Sequence, residues 1–213
     1  MSLSTAIHSF KTQLDQAADG APEPCLIAAS KSRSVEEIEA AKLLGLTHFG
    51  ENYVQEAQQK KVAFKSTTLH LIGPLQSNKA DIAADLFDVI HTLAKPKTAT
   101  ALNKELAKRG RSMTAFIQVN IADEDSKSGC HVSQLDALIA HIKTNCPHLR
   151  LIGLMAMPPS NTDPAPYFKQ MSDLQKQHNL QALSIGMSGD WQTALSYGAT
   201  HIRIGTALFG PRT

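Results

Sequence analysis

The chain has 213 residues, 42% of them hydrophobic and 19% charged, and a formal net charge of +2. That is enough apolar material for one sizeable core and too little charge for a disordered chain. The basic residues are scattered, not gathered into a run able to neutralise a row of phosphates, which excludes nucleic acid as the main partner.

The first element in chain order is an amphipathic helix. Leu3, Ile7, Phe10 and Leu14 recur at helical spacing, and the pattern ends near Gly20 and the turn-forming Ala21-Pro22-Glu23-Pro24. This amino terminus has no continuous apolar stretch of the signal-peptide kind, and no later segment reaches membrane-spanning length, so the expected location is the cytoplasm. Cys25, Cys130 and Cys146 are odd in number and lack metal-ligand spacing. They read as reduced thiols, with neither a disulfide framework nor a metal site.

After residue 24 short apolar runs alternate with helical stretches, the signature of consecutive βα units around a parallel sheet. The runs read as strands are Cys25–Ser30, Thr47–Gly50, Thr68–Gly73, Asp88–Leu93, Thr114–Asn120, Leu149–Ala156, Ala182–Met187 and His201–Gly205. Between them the pattern predicts helices at about 34–45, 53–63, 77–86, 97–109, 131–144, 163–178 and 190–197. Ser34 before Val35-Glu36-Glu37 has the form of a capping box, and Asp163 precedes Pro164 at a first helical position. Eight strands with helices between them predict a single α/β domain, residues 1–213, closed as a (β/α)8 TIM-type barrel with an N-terminal helix (1–20) packed on it. A doubly wound open sheet is the alternative, but its glycine-rich turn after the first strand is missing, since that strand runs into Ser30-Lys31-Ser32-Arg33.

In such a barrel chemistry sits where the carboxyl ends of the strands emerge. Lys31 follows the first strand on the side of Ile27 and Ala29. Facing inward, its amine would be partly desolvated and more nucleophilic toward an aldehyde; facing outward, it is an ordinary surface lysine. In His201-Ile202-Arg203-Ile204-Gly205-Thr206, alternation points Arg203 inward and the isoleucines toward the outer helices. Gly205-Thr206 and Ser188 then offer backbone N–H groups and hydroxyls where barrels often bind phosphate, or else form a capped tight turn. Met155, Met157, Met171 and Met187 read as core or pocket wall, and His131, His141, His148 and His178 as solvated, with no facing carboxylate.

Ala28-Ala29-Ser30-Lys31, Phe49-Gly50-Glu51-Asn52-Tyr53-Val54-Gln55-Glu56, His70-Leu71-Ile72-Gly73-Pro74-Leu75-Gln76-Ser77-Asn78-Lys79, Ser126-Lys127-Ser128-Gly129, Gly153-Leu154-Met155, Gly186-Met187-Ser188 and Arg203-Ile204-Gly205-Thr206 follow one another along nearly the whole chain. In order and spacing they resemble the YggS/PROSC family of pyridoxal 5′-phosphate (PLP) homeostasis proteins. The resemblance implies a barrel like the N-terminal domain of alanine racemase, with PLP held as a Schiff base on Lys31. It also implies phosphate contacts from Ser188, Gly205 and Thr206, and Arg203 near the pyridine ring. Asn52 and His70 match motif positions and are expected in the pocket wall. Leu69 and Gly189 depart from the residues many relatives carry, at positions the site does not need.

An arginine beside the pyridine nitrogen weakens the ring as an electron sink, and racemases of this type add a tyrosine base from a second domain. Here Tyr53, Tyr167 and Tyr197 fall in predicted helices or their starts, and the chain ends at Thr213, just after the last barrel unit. The expectation is therefore a monomeric PLP buffer or carrier without substantial turnover, with PLP-dependent apoenzymes as possible recipients. A weak amino-acid racemase is the alternative. A sugar-phosphate enzyme using Lys31 would need a carboxylate partner, for which Glu51 is the strand-end candidate. Lys127-Ser128-Gly129 reads as a flexible loop or a lid.

Overall fold

Eight parallel strands pair in chain order and the last pairs with the first, closing the sheet into a barrel. The strands are β1 (Cys25–Ala29), β2 (His48–Glu51), β3 (Thr68–Leu71), β4 (Val89–Leu93), β5 (Met113–Gln118), β6 (Leu149–Met155), β7 (Ala182–Ser184) and β8 (His201–Ile204). The helices are α1 (Leu3–Ala18), α2 (Val35–Leu43), α3 (Val54–Gln59), α4 (Ala80–Leu86), α5 (Pro96–Lys108), α6 (Leu135–Asn145), α7 (Ala165–Gln177), α8 (Trp191–Ser196) and α9 (Thr206–Phe209). This computed structural model describes residues 2–18, 22–124 and 128–211. The predicted turn at Gly20-Ala21 and the Ser126-Lys127 part of the expected loop lie outside them.

All eight expected strands form. The boundary differences have local causes. The predicted helices at 77–86 and 131–144 each open with a 3-10 turn, Ser77–Lys79 and Val132–Gln134, before the α-helix begins. The capping box is present: Ser34 Oγ accepts from Glu37 N at 3.2 Å, and Glu37 Oε2 accepts from Ser34 N at 2.8 Å. Pro164 is the N-cap of α7 and not its first residue, although Asp163 Oδ1 still accepts from Ala165 N at 3.0 Å. Helix α9, one turn long, was hidden inside the Gly205-Thr206 turn.

The main core lies between barrel and helices. Phe49, Phe87, Phe168, Ile202 and Ile204 are fully buried there, and each large side chain so buried contributes about 1.5–3 kcal/mol. Helix α1 adds Ile7, Phe10 and Leu14 to this layer, with Phe10 5.1 Å from Trp191 between ring centroids. Inside the barrel a smaller apolar group forms around Val89, Phe116, Met155 and Ala182. Gly153 makes room for it: a Cβ there would meet the Ala182 carbonyl oxygen at 2.1 Å and the Phe116 ring at 2.8 Å. The lumen also holds the polar side chains of His70, His91, Ser184, Gln118 and Arg203, all buried, with Ile27 and Ile72 beside Gly50.

Candidate functional site

Strand β1 ends in a β-turn, Ser30 to Arg33, closed by Arg33 N donating to Ser30 O at 3.0 Å. Lys31 occupies its second position and Ser32 its third, with φ at 61°, a left-handed conformation that costs a serine free energy. Four contacts hold it. Lys60 Nζ donates to Ser30 O at 3.1 Å and Arg33 O at 3.2 Å, the two ends of the turn, and to Glu51 Oε1 and Glu56 Oε1, each at 2.8 Å. Glu51 Oε1 also accepts from Ser30 Oγ at 2.7 Å, and Glu56 Oε1 from Ser32 N at 2.5 Å. The turn carrying Lys31 is thus wired to β2 and α3 through one buried cation. Burial pushes the Glu51 carboxyl above its ordinary value, against the pull of Lys60 and Ser30, and its Oε2 is buried without a hydrogen-bond partner.

The same turn is tied to the end of the chain. Arg33 Nη2 donates to Gly210 O at 2.7 Å, and its guanidinium lies 5.5 Å from the Phe209 ring centroid. Helix α9 begins at Thr206, so the Lys31 turn and the Gly205-Thr206 segment are held side by side. Gly205 sits against the end of β1, where an added Cβ would lie 3.6 Å from Ala29. From β7, Ser188 Oγ accepts from Ala207 N at 3.4 Å. Lys31, Ser188, Gly205 and Thr206 therefore occupy one arc of the carboxyl rim, with Lys31 and Ser188 half-buried and Thr206 exposed.

Arg203 points inward as alternation predicts, while Ile202 and Ile204 join the outer core. Its Nη1 donates to Ser184 O at 2.8 Å and Ser184 Oγ at 2.5 Å, and its Nη2 to Ala156 O at 3.0 Å. Burial lowers its pKa to about 10, which leaves it cationic near neutral pH.

From Ser184 a chain of hydrogen bonds crosses the lumen. His91 Nδ1 is 2.9 Å from Ser184 Oγ, His91 Nε2 is 2.9 Å from His70 Nδ1, and His70 Nε2 is 3.0 Å from His48 Nδ1. Burial above all, with the neighbouring histidines and, for His91, the Arg203 cation, holds His70 and His91 well below the usual histidine value, so both are neutral. His91 stacks on Phe116 at 4.4 Å.

His70 is 1% exposed inside the barrel, with Ile72 next on the same strand face. Asn52 is half-buried at the rim after β2, and its backbone packs so closely on Gly73 that a Cβ there would lie 2.1 Å from Asn52 O. Glu51 is committed to Ser30 and Lys60, which removes it as the free carboxylate a sugar-phosphate enzyme would require. Two of the histidines read as solvated do face carboxylates: His131 Nδ1 is 2.5 Å from Asp123 Oδ1, and His178 Nδ1 is 3.5 Å from Asp136 Oδ1. In the expected loop, Ser128 O accepts from Gln118 Nε2 at 2.9 Å.

Nothing in the sequence pattern marks Lys60, Glu56 or Arg33 as part of the site. An i,i+4 Glu56/Lys60 pair on a predicted helix was the available signal, but it is also the commonest form of surface ion pair. Among the described residues, cavities open on the carboxyl rim. One of about 340 Å³ is lined by Ile72, Gln118, Asn120, Met157 and Met187, and one of about 850 Å³ by Gln76, Lys95, Lys97 and His131 among others. Neither is lined by Lys31, Ser188 or Thr206, so the site is placed by its donor groups and not by cavity size.

A family model described as "Alanine racemase, N-terminal domain" matches residues 6–213. A pyridoxal phosphate homeostasis protein of Pasteurella multocida is 42% identical, over 88% of this chain and 86% of its own length. The protein of the same name from Escherichia coli K12 is 39% identical, over 89% of this chain and 86% of its own. PipY of Synechococcus elongatus, solved with PLP bound, superposes with a TM-score of 0.86 at 33% identity, covering 98% of this chain and 100% of PipY. Its PLP-free form gives 0.88 at 34% identity. Alanine racemase of Clostridium difficile, at 12% identity and a TM-score of 0.77 over 56% of its chain, shares the fold. With sequence and fold in agreement along almost its full length, the chain belongs to the YggS/PROSC family of pyridoxal phosphate homeostasis proteins.

Proposed function

We propose that this chain takes PLP as cargo at the arc between β1, β7 and β8, with Lys31 holding the aldehyde carbon covalently and Ser188, Gly205 and Thr206 holding the phosphate. The observation that carries this reading is the clamp on the Lys31 turn. Lys60, Glu51 and Glu56 hold that turn, and Arg33 ties it to the end of α9, the helix that Thr206 opens, so Lys31 and residues bearing hydroxyl and N–H groups stand on one arc of the rim. That donor set fits a phosphate monoester beside a reactive aldehyde.

Each residue then has a defined task. Lys60 keeps the turn from opening and so fixes where the Lys31 amine stands. Ser188 and Thr206 supply hydroxyl donors to a dianion, and Gly205 allows close approach of the backbone. Arg203, held by Ser184 and Ala156, is a fixed positive charge at the lumen end of the site; it disfavours a proton on the ring nitrogen and so supports carriage over catalysis. PLP supplies an electrophilic aldehyde, and sequestering it limits its reaction with other amines.

The cellular role we infer is buffering or delivery of PLP, with PLP-dependent apoenzymes as recipients. We take the protein to act in the cytoplasm as a monomer; among the described residues no helix is long and apolar enough to cross a membrane. The test is a titration of the purified protein with PLP followed by visible absorption. Wild type should develop the band of a lysine-linked cofactor and Lys31→Ala should not. An unchanged band in Lys31→Ala overturns the assignment. Amino-acid racemisation at about 1–10³ per second, the range of ordinary enzymes, would replace the carrier reading with the racemase one.

A further inference from the structure

At the opposite mouth of the barrel, three side chains from adjacent strands converge. Cys25 opens β1, His48 opens β2, and His70 lies within β3. Cys25 Sγ and a ring nitrogen of each histidine all lie within 4.8 Å of one another. Cys25 and His48 are half-buried at the amino ends of their strands, so the group faces solvent, and the buried His70 forms its floor. None of the three takes part in the Lys31 turn.

We propose that Cys25, His48 and His70 form a zinc-binding site, with a fourth coordination position open to water at this mouth. A thiolate with two neutral imidazoles is a donor set that zinc prefers, at bond lengths of about 2.3 Å to sulfur and about 2.0–2.1 Å to nitrogen. Tetrahedral bonds of that length set the donor atoms roughly 3.3–3.6 Å apart. His48 Nδ1 and His70 Nε2, 3.0 Å apart, are already close to this spacing. Cys25 Sγ, within 4.8 Å of both nitrogens, has to move closer on binding.

The surroundings favour ligation. His70 Nδ1 lies 2.9 Å from His91 Nε2, and His91 Nδ1 2.9 Å from Ser184 Oγ, an outer shell that turns the Nε2 lone pair of His70 toward the ion. His201, beside Cys25 across the β1–β8 pair, has its Nδ1 on Thr200 Oγ1 at 2.8 Å. On binding, three bonds form to zinc. The thiol proton leaves to water, and the proton on His48 Nδ1 that faces His70 Nε2 moves through water to His48 Nε2, so each imidazole keeps one proton.

Cobalt(II) titration of the reduced, purified protein tests the site. The expected result is saturation at one equivalent, with thiolate-to-cobalt charge-transfer absorption that zinc(II) abolishes by displacement. Cys25→Ser should remove the charge-transfer band, and His48→Gln should weaken zinc by at least about tenfold. Zinc should also protect Cys25 of the wild type from alkylation, read by peptide mass, a measurement that needs no variant to fold. A charge-transfer band that persists in Cys25→Ser, the absence of any such band at one equivalent, or alkylation of Cys25 at an unchanged rate in zinc each overturns the proposal.

Discussion

Lys60 Nζ lies 2.8 Å from Glu51 Oε1, a pair whose side chains are 10% and 0% exposed, directly beneath the turn that carries Lys31. Its value lies in the geometry it imposes, because two buried charges barely offset their own desolvation. The pair also satisfies both carbonyl ends of the turn, which no single apolar replacement would do.

Lys60→Met should therefore cost about 3–5 kcal/mol, since it leaves the Glu51 carboxylate buried with Ser30 as its remaining donor. Lys60→Met combined with Glu51→Gln should cost less than Lys60→Met alone. Urea unfolding of the three proteins measures this; a loss in the single variant below about 1 kcal/mol, the range of exposed ion pairs, would mean that the clamp is solvated and does not define the turn.

Borohydride reduction of the PLP-loaded protein should fix the cofactor on Lys31. The expected product of digestion is one phosphopyridoxyl-modified peptide spanning that residue. Modification at another lysine, Lys60 included, would move the site.

The two halves of the cofactor site should separate by mutation. Lys31→Ala should still bind PLP noncovalently. Ser188→Ala with Thr206→Ala should weaken PLP more than phosphate-free pyridoxal, because each charge-assisted hydrogen bond to a phosphate contributes about 1.5–3 kcal/mol. Equilibrium titration with both ligands decides it. Equal losses for the two would show that the phosphate lies elsewhere.

Acid should destabilise the protein early. Burial holds His70 and His91 well below the ordinary 6.5 and lowers His201 to about 4, so all three stay neutral in the folded state while the unfolded chain takes up protons. The unfolded state then binds more protons, and stability falls as pH drops from about 7, by up to about 1.4 kcal/mol per pH unit for each histidine. The loss levels off below the folded-state values. Urea midpoints in the presence of a metal chelator should fall between pH 7 and pH 5.5; a flat profile there would contradict the buried neutral chain.

The period of the apolar pattern, short runs separated by helical stretches, was legible without coordinates because burying one strand face and one helix stripe leaves a mark on every βα unit. So were the eight strands, the inward turn of Arg203 between Ile202 and Ile204, the Ser34 capping box, and the rim positions of Lys31, Ser188 and Thr206, which follow from where a strand ends. Closure itself was settled by hydrogen bonds between β1 and β8, strands at opposite ends of the chain, as was the contact of Arg33 with Gly210. Lys60 stayed hidden because its partners Ser30, Arg33 and Glu51 are distant in sequence and its helical pairing with Glu56 looks like any exposed ion pair. Motif order says nothing of the depth of His70: that depends on strand stagger, which sets it between His48 and His91. Cys25, His48 and His70 lack any metal-ligand spacing, since each comes from a different strand; only the lateral pairing of those strands puts a thiol and two imidazoles at one mouth of the barrel.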